Sequence, residues 1–126
     1  MPPFRFLRNE RLKRRKLIDE AFTKGKSIAV YPIRLVYVKT ALPEGAGPVQ
    51  AGFSVPRRTF RSAVQRNRIK RQMREAYRLQ KNLLTDKLAD TTGQFAWMLL
   101  YTAKEPLPYA TIEESMGKLI RRFLKT

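Results

Sequence analysis

Arg66-Asn67-Arg68-Ile69-Lys70-Arg71-Gln72-Met73-Arg74-Glu75-Ala76-Tyr77-Arg78 is the stretch on which the reading of this chain turns. At about 3.6 residues per turn, Ile69, Met73 and Ala76 fall on one stripe that Gln80 and Leu83 continue, the pattern of a helix lying on a core. Lys70, Arg71, Arg74 and Arg78 fall opposite, with Asn67 among them and Arg66 at the border. Like charges at this spacing repel by roughly a few tenths of a kcal/mol per pair, and a polyanion removes that cost. A merely solvated helix face usually mixes signs. Here no Asp or Glu occurs between Glu44 and Glu75, while Arg57, Arg58 and Arg61 extend the positive run toward the N-terminus. Arginine outnumbers lysine in this run, and its planar five-donor fork suits bidentate phosphate contacts and stacking on bases.

Composition agrees with a polyanionic partner. The 126 residues carry 27 Lys and Arg against 10 Asp and Glu, a net charge of +17, and charge of that size is a footprint of nucleic-acid binding. There is no cysteine and no histidine. Disulfides, thiolate chemistry, the common zinc sites, the Ser/His and Cys/His nucleophile pairs and the usual general base are therefore excluded. No run of about 18 apolar residues exists to cross a bilayer. Met1-Pro2-Pro3-Phe4-Arg5-Phe6 has a charged start without a following apolar segment, so no signal peptide and a cytoplasmic location are expected.

Working outward, the helix is expected over 63–84, preceded by a basic connection at 56–62. Residues 49–55 alternate (Val49, Ala51, Phe53, Val55) and read as a strand, expected to pair antiparallel with another strand at 27–39 across a hairpin loop at 41–48. Pro32 suggests a break or an edge near the start of that strand. A short helix over 14–24 carries Leu17, Ile18, Ala21 and Phe22 on one face and stops at Gly25, and residues 1–12 read as a basic, irregular lead-in. After the long helix and a polar loop at 85–94, the apolar run 95–101 has the length of a buried strand. A last helix over 109–124 buries Ile112, Met116, Leu119, Ile120 and Phe123, with Thr111 and Glu114 as a capping box. The expected architecture is one α+β domain in the order α-β-β-α-β-α.

Arg66-Asn67-Arg68-Ile69-Lys70-Arg71 followed by Arg74-Glu75-Ala76 resembles the signature of the bacterial ribonuclease P protein component. Ala63-Val64, Gly52-Phe53-Ser54-Val55 before basic residues, Phe22 with Gly25 and Ser27, and the apolar strand before a terminal helix fall in that family's order, so the resemblance covers nearly the whole chain. It implies the protein subunit of the RNA-containing endonuclease that removes the 5′ leader from precursor tRNA. The large RNA would be the catalyst, with magnesium held mainly by RNA and no catalytic residue on the protein, and no protein partner is implied. It also implies a mixed sheet whose long helix joins parallel strands by a left-handed crossover, as in one class of ribosomal-protein domain, against the usual right-handed preference.

The resemblance assigns two surfaces. Arg66, Asn67, Arg68, Lys70, Arg71 and Arg74, with Arg57, Arg58 and Arg61 beside them, would bind the catalytic RNA. Asn67 reads either as a helix cap or as an amide facing RNA. A cleft between the first helix and the open sheet face would hold the single-stranded leader, with Phe22 at an aromatic position of the family. On its own, a phenylalanine on the apolar side of a helix reads more readily as core. Tyr31 and Tyr37, six residues apart, would share a face in an unbroken strand, so either is a candidate second ring, and Arg34 would face the other side. Ile18 stands where many members have another aromatic, and Phe60-Arg61-Ser62 departs from the family's Gly-Asn pattern. Trp97 and Tyr101 read as core. A structural RNA-binding protein of the ribosomal type fits composition and charge equally well; a DNA-compacting protein fits the mixed α/β pattern less well.

Overall fold

Trp97 sits in the middle of the strand around which the sheet is built. In the computed structural model, which describes residues 8–43, 46–88 and 93–126, this strand, β4 (Phe95–Tyr101), lies between two others. The remaining strands are β1 (Lys26–Val30), β2 (Ile33–Lys39) and β3 (Val49–Ser54), and the spatial order is β1-β2-β4-β3. β1 with β2 and β2 with β4 are antiparallel; β3 and β4 are parallel. Three helices complete the fold: α1 (Arg15–Lys24), α2 (Ala63–Leu88) and α3 (Tyr109–Leu124).

Parity along the strands divides the sheet into two faces. Ile33, Leu35, Tyr37, Val49, Ala51, Trp97, Leu99 and Tyr101 turn toward α2 and α3 and form the main core with Ile69, Met73, Ala76, Met116 and Phe123. Edge-to-face ring pairs run through it, Trp97 to Phe123 at 4.9 Å and Tyr77 to Trp97 at 6.1 Å, each contributing about 0.5–1.5 kcal/mol beyond the area it buries. On the other face α1 lays Leu17 against Leu12, Ala96 and Met98, with Ile18 and Val38 at the margin. Gly25 makes the tight corner from α1 into β1. A Cβ there would stand 2.5 Å from the Tyr37 carbonyl oxygen and nearer still to that of Ala21, both fixed backbone.

Several expectations need correction. Residues 27–39 are two strands, because Tyr31 and Pro32 form the turn of a hairpin and a proline cannot donate to the ladder. The strand at 49–55 does not pair with the first strand. Alternation identifies a strand but not its neighbour, and here β4 enters between β2 and β3. The long helix runs one turn further, to Leu88, so residues 85–88 of the stretch expected as loop are helical. Its buried stripe is Ile69, Met73, Ala76, Tyr77, Lys81 and Leu84, while Leu83 is 50% exposed. The capping box is absent: α3 starts after Pro108, with no side-chain cap, and Thr111 lies inside it.

The described part of the lead-in is ordered rather than irregular. Arg8–Glu10 forms a 3₁₀ turn, Arg11 bridges to Ala51, and the Leu12 N–H donates to the Ala51 carbonyl at 3.0 Å. This segment therefore covers part of the outer edge of β3. Glu10 ties it to α2 by accepting from Lys81 Nζ at 2.6 and 2.7 Å in a largely buried ion pair. Residues 1–7 of the lead-in, and parts of the loops at 41–48 and 85–94, lie outside the described residues.

Candidate nucleic-acid interface

The first half of α2 is held at its start by local bonds. Ser62 Oγ accepts from the Gln65 N–H at 3.3 Å, which makes Ser62 the cap. Arg66 Nη1 donates to the carbonyls of Phe60 at 2.7 Å and Arg61 at 2.9 Å, so part of this guanidinium ties the helix to the preceding turn. Phe60 is itself buried, its ring 5.7 Å from that of Tyr101. The cap reading of Asn67 fails because Asn67 lies more than a turn inside the helix, where its side chain is exposed.

The cations surround the helix more widely than a single face. Arg57, Arg58, Arg61, Arg68 and Arg71 are exposed, and Lys70 and Arg74 are half-buried. On one flank Arg68 borders a small cavity of about 140 Å³ with Gln65, Gln72 and Leu107. On the other, Lys70 and Arg74 meet Arg11 and Lys13 around a cavity of about 210 Å³ beside Gly52 and Phe53. Arg11 and Lys13 join this group only through the fold, since the bridge to Ala51 brings them beside α2. Arg78 does not belong to the group: Glu75 accepts from its Nε at 3.1 Å and also pairs with its Nη2. That hydrogen bond, opposed by slight burial and helped by the guanidinium charge, lowers the Glu75 pKa. Glu75 thus neutralises Arg78 and leaves the motif's cations without a carboxylate between them.

The three aromatic candidates separate. Phe22 is 50% exposed near the end of α1 and belongs to neither core cluster. Tyr31 is 66% exposed at the tip of the β1-β2 hairpin, not on a strand face. Tyr37 is core: its ring meets that of Phe123 edge-on at 4.9 Å on the α2–α3 side of the sheet. The equal-parity argument fails because the hairpin turn at Pro32 removes Tyr31 from the strand, and the face that Tyr37 shares with Ile33 and Leu35 is the filled one.

The face toward α1 is therefore lined by Arg34, Val36 and Val38 on β2. α1 covers the rows through Met98 and Ala96, leaving the row in which Arg34 and Ser54 flank Leu100. Arg34 is exposed and donates from Nη2 to Ser27 Oγ at 3.3 Å. Ser27, Arg34, Leu100 and Ser54 thus share the part of this sheet face that α1 leaves uncovered, and Phe22 stands exposed on the last turn of α1. Sequence reasoning misses Arg34 as a site residue although its parity is evident, because it takes the filled face of the sheet for the open one.

A family model described as ribonuclease P matches residues 6–124. The chain is 38% identical over 122 residues to the ribonuclease P protein component of Porphyromonas gingivalis, covering 96% of this chain and 88% of that one. It is 33% identical over 118 residues to the ribonuclease P protein component of Xylella fastidiosa, covering 94% and 78%. Its fold is similar to that of the RNase P protein from Thermotoga maritima, with a TM-score of 0.69 at 24% identity over 90% of this chain and 96% of that one. The Staphylococcus aureus RNase P protein superimposes with a TM-score of 0.67 at 20% identity, covering 90% and 94%.

Proposed function

Because the chain belongs to the ribonuclease P protein family and is the protein subunit of that RNA-containing endoribonuclease, we propose how its two surfaces divide the work. The subunit associates with ribonuclease P RNA. The contact is made by the first half of α2, with Asn67, Arg68, Lys70, Arg71 and Arg74 presented outward, Arg66 partly committed to holding the helix start, and Arg57, Arg58 and Arg61 in the adjoining turn. The observation that carries this is the convergence of Arg11 and Lys13 with Lys70 and Arg74 around one cavity: cations from distant parts of the sequence are held together although they repel.

The groove between α1 and the uncovered row of the sheet receives the single-stranded 5′ leader of precursor tRNA. Phe22 offers a ring for base stacking, and Arg34 offers a guanidinium from the groove floor. Val36, not Tyr37, is the residue that β2 turns toward α1. Magnesium is assigned to the RNA: among the described residues no three His, Cys, Asp or Glu side chains come together to hold a metal, and the cationic surface would repel a divalent ion. The protein's part is to bind and orient, and the site of action is the cytoplasm; no helix among the described residues is long and apolar enough to cross a membrane.

The test is the salt dependence of binding to the catalytic RNA. Changing Lys70, Arg71 and Arg74 together to Ala should flatten the slope of log affinity against log salt by about two, at roughly 0.7–0.9 for each phosphate no longer neutralised. An unchanged slope with an intact circular dichroism spectrum would place the RNA-binding surface elsewhere.

A further inference from the structure

At the end of the sheet opposite the start of α2 lies a cavity of about 320 Å³ that the two surfaces above do not use. Lys24, Lys26 and Lys39 border it, Tyr37, Val38 and Phe95 supply apolar lining, and Thr126 completes the wall. All three lysines are exposed, no carboxylate side chain lines the cavity, and none of the three is in an ion pair among the described residues. The lysines come from three element ends: the last residue of α1, the first of β1 and the last of β2. The Gly25 corner fixes Lys24 and Lys26 on either side of it, since neither its own helix nor β2 leaves room for a side chain there. The register that pairs Lys26 with Tyr37 leaves Val38 and Lys39 extending beyond β1.

We propose that this lysine-lined cavity is a second phosphate-binding site for RNA, and that it holds the backbone of the distal part of the leader. The proposal rests on the leader groove assigned above and extends it. Lys26, paired with Tyr37, and Lys39, two residues beyond it, lie on the Tyr37 side of the sheet, so a strand stacked on Phe22 reaches these lysines only by rounding the Gly25 corner past Lys24. The site is distant from the arginine-rich one: Phe60, just before α2, packs at the Tyr101 end of β4, whereas the cavity lies at the Phe95 end, about 20 Å away along the strand. Its chemistry also differs. Ammonium groups act as point charges without the fork that recognises a planar partner, which suits backbone phosphates read without regard to sequence.

The test uses the reconstituted holoenzyme and precursor tRNAs whose leaders differ only in length. For the Lys24→Ala, Lys26→Ala, Lys39→Ala triple variant, the affinity gained on lengthening the leader should fall. The salt dependence for the long-leader substrate should flatten by about two, at roughly 0.7 per phosphate of a single strand. Restoring the charges as arginines should recover both. If the variant keeps the full length-dependent gain, or instead loses affinity for the catalytic RNA alone, the proposal is wrong. Phe22→Ala run alongside separates the two ideas. If Phe22→Ala weakens every leader-bearing substrate while the lysine variant does nothing, the groove stands and the distal site falls; if Phe22→Ala does not distinguish precursor from mature tRNA, the groove itself falls.

Discussion

Phe22 and Tyr37 are aromatic residues near the same corner of the fold, and truncating each should have opposite consequences. Phe22 is half exposed, so Phe22→Ala should leave the melting transition little changed while removing about 1–3 kcal/mol of stacking with single-stranded RNA. Affinity for leader-bearing precursor would then fall roughly fivefold to more than a hundredfold and that for mature tRNA hardly at all; equal losses for both would contradict the groove. Tyr37→Ala opens the core beside Phe123 and should cost about 3–5 kcal/mol of stability. Burial, helped by the nearby Glu113 carboxylate, pushes the Tyr109 phenol up to about 12 from an ordinary 10.0. A phenol whose folded pKa is raised contributes stability that is complete below its unfolded pKa and is lost as pH climbs from 10 toward 12. Tyrosinate absorbance near pH 11 should therefore show fewer ionised rings than the five tyrosines present while the fold persists. All five ionising together near pH 10 in folded protein would contradict the burial of Tyr109.

Helix α2 shows which parts of an element are legible in sequence. Its core stripe at Ile69, Met73 and Ala76 follows from 3.6-residue spacing, and its cationic half from composition alone. Lys81 is different, because no periodicity distinguishes a lysine that faces water from one that faces a carboxylate 71 positions away. That ion pair holds the lead-in, and hence Arg11 and Lys13, beside the motif. Lys81→Met should remove the ammonium that neutralises a largely buried Glu10, destabilising the fold by about 3 kcal/mol, the lower end for a broken buried pair because Glu10 keeps some exposure to water. Adding Glu10→Leu should recover much of that loss in a thermal melt, and failure to recover it would show that the pair does more than neutralise itself. Strand pairing is illegible for a related reason: alternation at Val49, Ala51 and Phe53 says which side chains share a face but not that β4, on the far side of the long helix in sequence, would lie beside them.

At the scale of the molecule, the sheet works as a divider. One face is filled by α2 and α3; the other is only partly covered by α1, and the open remainder adjoins the arginine-rich start of α2. Exchanging these two faces at Tyr37 is the main error of a reading from sequence, and it follows from taking one broken strand as continuous. The charge and the absence of histidine and cysteine are legible throughout, and they bear on the central claim that this subunit binds and orients RNA while the RNA carries the chemistry. The most direct test is cleavage of precursor tRNA by the purified chain with magnesium, with and without the cognate catalytic RNA. No cleavage by protein alone and correct removal of the leader once RNA is added is the predicted result; accurate cleavage by RNA-free protein would contradict it.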